Sequence, residues 1–137
     1  MAISLTSPSV AEKFTPRVLV VDDERLIRWS LRQGLTREGF GVEEAADGAA
    51  ALALLSDQPD RFAAVILDYR LPDRQDLSLL REIRGMIPDT PVLMMTAFAE
   101  PIMRYEARAI GALDIIDKPF KISAVISRIR AALSETP

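Results

Sequence analysis

The sequence predicts an α/β domain, a doubly wound parallel sheet of five strands covered by five helices. Three observations lead there. Short, unbroken apolar runs recur along the chain, segments with helical spacing separate them, and four of the runs end on polar residues. Unbroken apolar runs belong to strands buried on both faces. Strands alternating with helices imply right-handed crossovers and a parallel sheet.

Residues 1–16, with Ser4, Thr6, Ser7, Pro8, Ser9 and Pro16, show no sustained period and read as a flexible leader to a domain over 17–137. Arg17-Val18-Leu19-Val20-Val21 is the first buried strand and stops at Asp22-Asp23-Glu24. Ile27, Leu31 and Leu35, at four-residue steps, predict a helix closed by Gly39. A short strand follows around Val42 to Ala45. Asp47 is placed to cap a helix carrying Ala51, Leu52 and Leu55 on one face. Phe62-Ala63-Ala64-Val65-Ile66-Leu67 is the next buried strand and ends on Asp68. After Leu71-Pro72-Asp73 a helix runs through Leu79, Leu80 and Ile83. Val92-Leu93-Met94-Met95 forms a core strand ending on Thr96. A helix over about Ile102 to Ile110 stops at Gly111. The last strand, Asp114-Ile115-Ile116, delivers Lys118 just before Pro119. Ile122, Val125, Ile126, Ile129 and Leu133 make the apolar stripe of the final helix.

Composition removes several function classes. With no cysteine there is no disulfide, thiol catalysis or cysteine metal site. With no histidine, the usual general base near neutral pH is missing, and the chain cannot itself be a phosphohistidine donor. Net charge is −3, which argues against bulk attraction to nucleic acid or an anionic membrane. No apolar run approaches the roughly 20 residues of a membrane span, and the N-terminus lacks a secretory pattern. A cytoplasmic location follows by elimination.

What chemistry remains runs on carboxylates, hydroxyls, lysine, arginine and backbone. A doubly wound sheet builds its site beyond the carboxyl ends of its strands. Here those ends carry Asp22, Asp23, Asp68, Thr96 and Lys118. Asp22, Asp23 and Asp68, brought close, repel one another and call for a cation. Three carboxylates, a backbone carbonyl and waters suit magnesium. The metal and Lys118 can neutralise phosphoryl oxygens, the Thr96 hydroxyl can bond one of them, and Asp68 can serve as nucleophile to give an acyl phosphate.

The same stretches carry a resemblance. Val18-Leu19-Val20-Val21-Asp22-Asp23-Glu24, Leu67-Asp68-Tyr69-Arg70-Leu71-Pro72-Asp73, Met95-Thr96-Ala97 and Lys118-Pro119-Phe120, in that order and spacing, resemble the receiver domains of two-component response regulators. The resemblance covers about Arg17 to Leu133. It implies a flavodoxin-like sheet with strand order 2-1-3-4-5. It implies that Asp23 binds magnesium directly and Asp22 mainly through water, with Asp68 and the Arg70 carbonyl as further ligands. Asp68 would accept a phosphoryl group from a sensor histidine kinase or phosphotransfer protein, and small Ala97 would leave room for it. The resulting switch would control an output domain or partner in transcriptional regulation. Such a domain catalyses only its own phosphorylation and dephosphorylation. The Lys118–Pro119 bond is commonly cis in this family. Ile27-Arg28-Trp29-Ser30-Leu31 and the Lys-Pro-Phe ending further resemble nitrogen-regulatory receivers attached to ATPase-type activators; a stand-alone receiver is the other reading. The resemblance also implies a homodimer through the fourth helix, fifth strand and fifth helix.

Two positions depart from the family. Asp76 stands where a glycine is usual and can act as a helix cap or reshape the loop. Ile115 stands where an aromatic usually rotates inward, which leaves the switch to Thr96 and the loop after it. A phosphohydrolase of the haloacid-dehalogenase kind would want an acid at Arg70. A nucleotide-binding module would want a glycine-rich phosphate loop, and none occurs. A degenerate receiver acting purely as a protein-binding module is opposed by the intact acid pair, acceptor, threonine and lysine. Each of these residues alone reads as a cap, loop or surface charge; together, on successive strand ends, they read as a site. Trp29 falls off its apolar stripe. Arg25, Arg28, Arg32 and Arg37 read as a solvated helix face. Arg104, Arg108, Arg128 and Arg130 either pair with acids across a dimer or face water.

Overall fold

The computed structural model describes residues 15–134. The expected leader lies outside the described residues apart from Thr15 and Pro16, as do residues 135–137. In chain order the elements are β1 (Arg17–Val21), α1 (Arg25–Arg37), β2 (Gly41–Ala45), α2 (Gly48–Asp57), β3 (Ala64–Asp68), α3 (Ser78–Met86), β4 (Val92–Thr96), α4 (Pro101–Ile110), β5 (Asp114–Asp117) and α5 (Ile122–Ser134). The strands are all parallel and lie in the order β2-β1-β3-β4-β5. The fold is therefore the doubly wound, flavodoxin-like one expected.

The unbroken apolar runs are explained by two cores. Successive strand residues point to opposite faces. Val18, Val20, Ala64, Ile66, Leu93 and Met95 point to one side, where Leu31 and Leu35 of α1 meet Val125 and Ile129 of α5. Leu19, Val21, Val65, Leu67, Val92 and Met94 point to the other, against Ala51 and Leu55 of α2, Leu79, Leu80 and Ile83 of α3, and Ala107 of α4. Truncating one such residue, as in Ile66→Ala, would destabilise by about 2–5 kcal/mol. Met94 and Met95 are core residues, as their sequence context implies.

The helix ends follow their capping residues. Asp47 accepts a hydrogen bond from the Ala50 amide, 2.7 Å away. Gly39 and Gly111 adopt φ of 93° and 121°, the left-handed region that closes α1 and α4. One boundary differs from the sequence expectation. Pairing of β3 with β1 begins at Ala64 opposite Val18, so Phe62 and Ala63 precede the strand. Phe62 nonetheless reads as apolar because it is buried in the core.

Candidate functional site

The carboxyl ends of β1, β3 and β5 converge on one cleft. Just past β1, the Asp22 amide donates to the Ala45 carbonyl at 3.1 Å, which extends the ladder to β2 by one bond. The Asp22 side chain is fully buried; its Oδ1 accepts from the Glu24 amide at 2.8 Å. Asp68 is the last residue of β3, 5% exposed, and the Tyr69 amide after it donates to the Met95 carbonyl of β4. Asp23 is exposed at the rim. Carboxylate oxygens of Asp22, Asp23 and Asp68 lie within 4.8 Å of one another.

Lys118 reaches this cluster from beyond β5. Its amide donates to the Thr96 carbonyl at 2.7 Å, and its bond to Pro119 is cis. The Lys118 Nζ stands 2.8 Å from Asp22 Oδ2 and 3.2 Å from Asp68 Oδ2, with Glu24 at 3.7 Å. Asp23, Glu24, Asp68, Arg70, Leu71, Pro72, Gln75, Ala97 and Lys118 line the cleft over the acids. The sequence-predicted Asp22, Asp23, Asp68 and Lys118 are thus brought together, and Arg70 joins them at the wall. Thr96, ending β4, is 2% exposed and its Oγ1 accepts from the Phe98 amide at 3.3 Å.

The charges do not balance. Burial, and then the Asp22 charge, push the Asp68 carboxyl up from 3.8 to about 6, although Lys118 opposes the shift. Burial works against the Lys118 charge, but its hydrogen bond to Asp22 and the nearby charges of Asp68 and Asp22 outweigh this and raise its pKa. Three acids face one lysine, in an all-oxygen set. Such a donor set fits a hard divalent cation of the magnesium kind.

Several surface readings need correction. Arg28 does not face solvent: its Nη1 donates to the Asp22 carbonyl at 2.8 Å and its Nε to Glu44 at 3.0 Å. Arg32 binds the other Glu44 oxygen, and these two arginines, against the effect of burial, hold the Glu44 carboxyl below its usual range. Sequence reasoning missed Arg28 because its partners lie on another element; an acid within a short, half-apolar strand was the available signal. Arg104 pairs with Asp117, Arg108 with Asp114, Arg128 with Asp114 and Arg130 with Glu38, all within the chain. Asp76 accepts from the Ser78 amide at 2.9 Å, one position ahead of the N-cap residue Leu77. Ile115 is buried in the core and Trp29 is 56% exposed.

Known proteins resemble this chain in sequence and in fold. Response regulator MprA of Mycobacterium tuberculosis (strain ATCC 25618 / H37Rv) is 40% identical over 121 residues, covering 88% of this chain and 51% of its own. Response regulator MprA of Mycolicibacterium vanbaalenii is 41% identical with the same coverage. The chain thus spans about half the length of the curated relatives it matches. A CheY-like response regulator receiver domain protein from Methanospirillum hungatei superimposes with a TM-score of 0.82 at 30% identity, over 88% of this chain and 95% of that one. The CheX-CheY-BeF3-Mg+2 complex from Borrelia burgdorferi gives 0.80 at 27% identity, over 85% and 87%. The family described as response regulator receiver domain matches residues 18–130, most of the chain, and the protein belongs to that family.

Proposed function

We propose that this domain accepts a phosphoryl group on Asp68 from the phosphohistidine of a sensor histidine kinase or phosphotransfer protein. The observation that carries this reading is the buried acid pair Asp22 and Asp68 sharing one lysine Nζ, at 2.8 and 3.2 Å, beneath an open cleft. A carboxylate oxygen of Asp68 forms the new P–O bond as the P–N bond breaks, and the electron pair leaves with the donor imidazole. Asp22, Asp23, Asp68 and the Arg70 carbonyl would hold Mg2+, which when bound neutralises phosphoryl charge. Lys118 supplies a fixed positive charge on the same side, and Ala97 leaves the cleft wall low.

The signal then passes through Thr96. Its hydroxyl leaves the Phe98 amide for a phosphoryl oxygen and draws the loop before α4 with it. The reaction is confined to the domain's own phosphorylation and dephosphorylation. We further propose that the switched surface acts on an output segment or partner in transcriptional control, from the cytoplasm; among the described residues no helix is long and apolar enough to cross a membrane. Self-association through α4, β5 and α5 would rest on exposed Ile102 and Tyr105, since the arginines there are already paired. Acetyl phosphate with magnesium should add the mass of one phosphoryl group. The addition should vanish on chelation; labelling that persists without divalent metal would count against the reading.

A further inference from the structure

The loop from Tyr69 to Leu77 carries Arg70 over the cleft, and something must hold it. Its start is fixed by the Tyr69 amide on the Met95 carbonyl, and Leu71 and Arg74 exchange two backbone hydrogen bonds at 2.8 and 3.2 Å. A further anchor from within that turn is remote in sequence. Asp73 Oδ1 accepts from the Gly48 amide at 2.8 Å, and Oδ2 accepts from the Ala49 amide at 2.9 Å. These amides open α2, a helix otherwise unconnected to the loop by sequence. Gly48 lets the loop approach: a Cβ there would stand 3.2 Å from Asp73 Oδ1 and 3.1 Å from Arg74 Cγ.

Helix capping alone does not account for this contact. Asp47 already caps α2 locally through the Ala50 amide. A second carboxylate, 25 residues away in sequence, does what a local cap cannot, because it ties the loop to the sheet-packed helix. We infer that Asp73 is a positioning residue for the metal site, clamping the loop to α2 so that the Arg70 carbonyl is held at the cleft. The inference rests on the magnesium site proposed above. Outer-sphere groups that orient ligands commonly matter this much to affinity.

The test is calorimetric titration of the whole chain with Mg2+, alongside thermal melts and amide exchange of the metal-free protein. Asp73→Ala should weaken Mg2+ binding on the order of 10-fold and speed exchange at Leu71 and Arg74. Asp73→Asn, which keeps one acceptor oxygen, should fall between Asp73→Ala and wild type. Asp47→Ala should lower the melting temperature as Asp73→Ala does, yet bind Mg2+ like wild type. The proposal is overturned if Asp73→Ala keeps wild-type affinity, or if Asp47→Ala weakens binding equally, which would reduce Asp73 to a helix cap. A wild-type chain that binds no Mg2+ would overturn the metal reading and this proposal together, and is told apart by the wild-type titration alone.

Discussion

Asp68 and Asp22 both lie out of solvent and share the single ammonium of Lys118, so one carboxylate is poorly compensated. The consequence for stability has a definite sign. With its folded pKa raised from 3.8 to about 6, Asp68 holds its proton in the folded state over a window where the unfolded chain has lost it. Stability of the metal-free protein from this group is therefore present at low pH and falls as pH rises through that window. Asp68→Asn, which cannot ionise, should be more stable than wild type at about pH 8 and indistinguishable from it at about pH 4. Urea melts at the two values check this; equal stability at the higher pH would contradict the account. At this scale the sequence was informative where a polar residue interrupts an apolar run, as Asp22, Asp68 and Thr96 do. It was uninformative for Arg28, which looks like Arg25 and Arg37 in a polar helix pattern. Only the fold brings it to Glu44 and the Asp22 carbonyl. Arg28→Ala removes the donor to the Asp22 carbonyl and leaves Glu44 with Arg32 alone, and should destabilise by about 1–3 kcal/mol, read from the urea midpoint.

The helices were legible from their spacing and the core strands from their unbroken apolar runs, because two cores demand apolar residues on both strand faces. Their interplay was less so. Thr96 ends β4, and its hydroxyl holds the Phe98 amide in the segment leading to α4. Ile115, on neighbouring β5 opposite Met94, is buried and β-branched, with a stiff first torsion and no ring to rotate. The element that moves should then be the 97–101 segment with α4, biased by Thr96. Beryllofluoride with magnesium should shift the amide resonances of that segment in wild type. In Thr96→Ala beryllofluoride should still bind, while α4 stays unshifted. Full movement of α4 in the variant, or a rotamer change at Ile115 in wild type, would refute this coupling.

Across the whole molecule, the doubly wound order sets the site at the strand ends, where β1 and β3 lie side by side and the Lys118 side chain reaches in from beyond β5. That placement follows from topology and was readable from the chain. The pairing of Arg104, Arg108 and Arg128 with Asp117 and Asp114 was not, because those partners depend on how α4 and α5 lean over β5. Mg2+ should stabilise the whole fold by relieving repulsion among the acids, by about 2.7 kcal/mol at free metal 100 times the dissociation constant. Asp23→Ala should lose most of that rise in melting temperature, and an unresponsive wild type would exclude the metal site. The central claim is that the acceptor oxygen belongs to Asp68, and borohydride trapping after acetyl phosphate and magnesium tests it most directly. Reduction of the acyl phosphate should convert Asp68 alone to homoserine in peptide mass spectra. Homoserine at any other acid, or a phosphoryl group gained undiminished by Asp68→Asn, would contradict it.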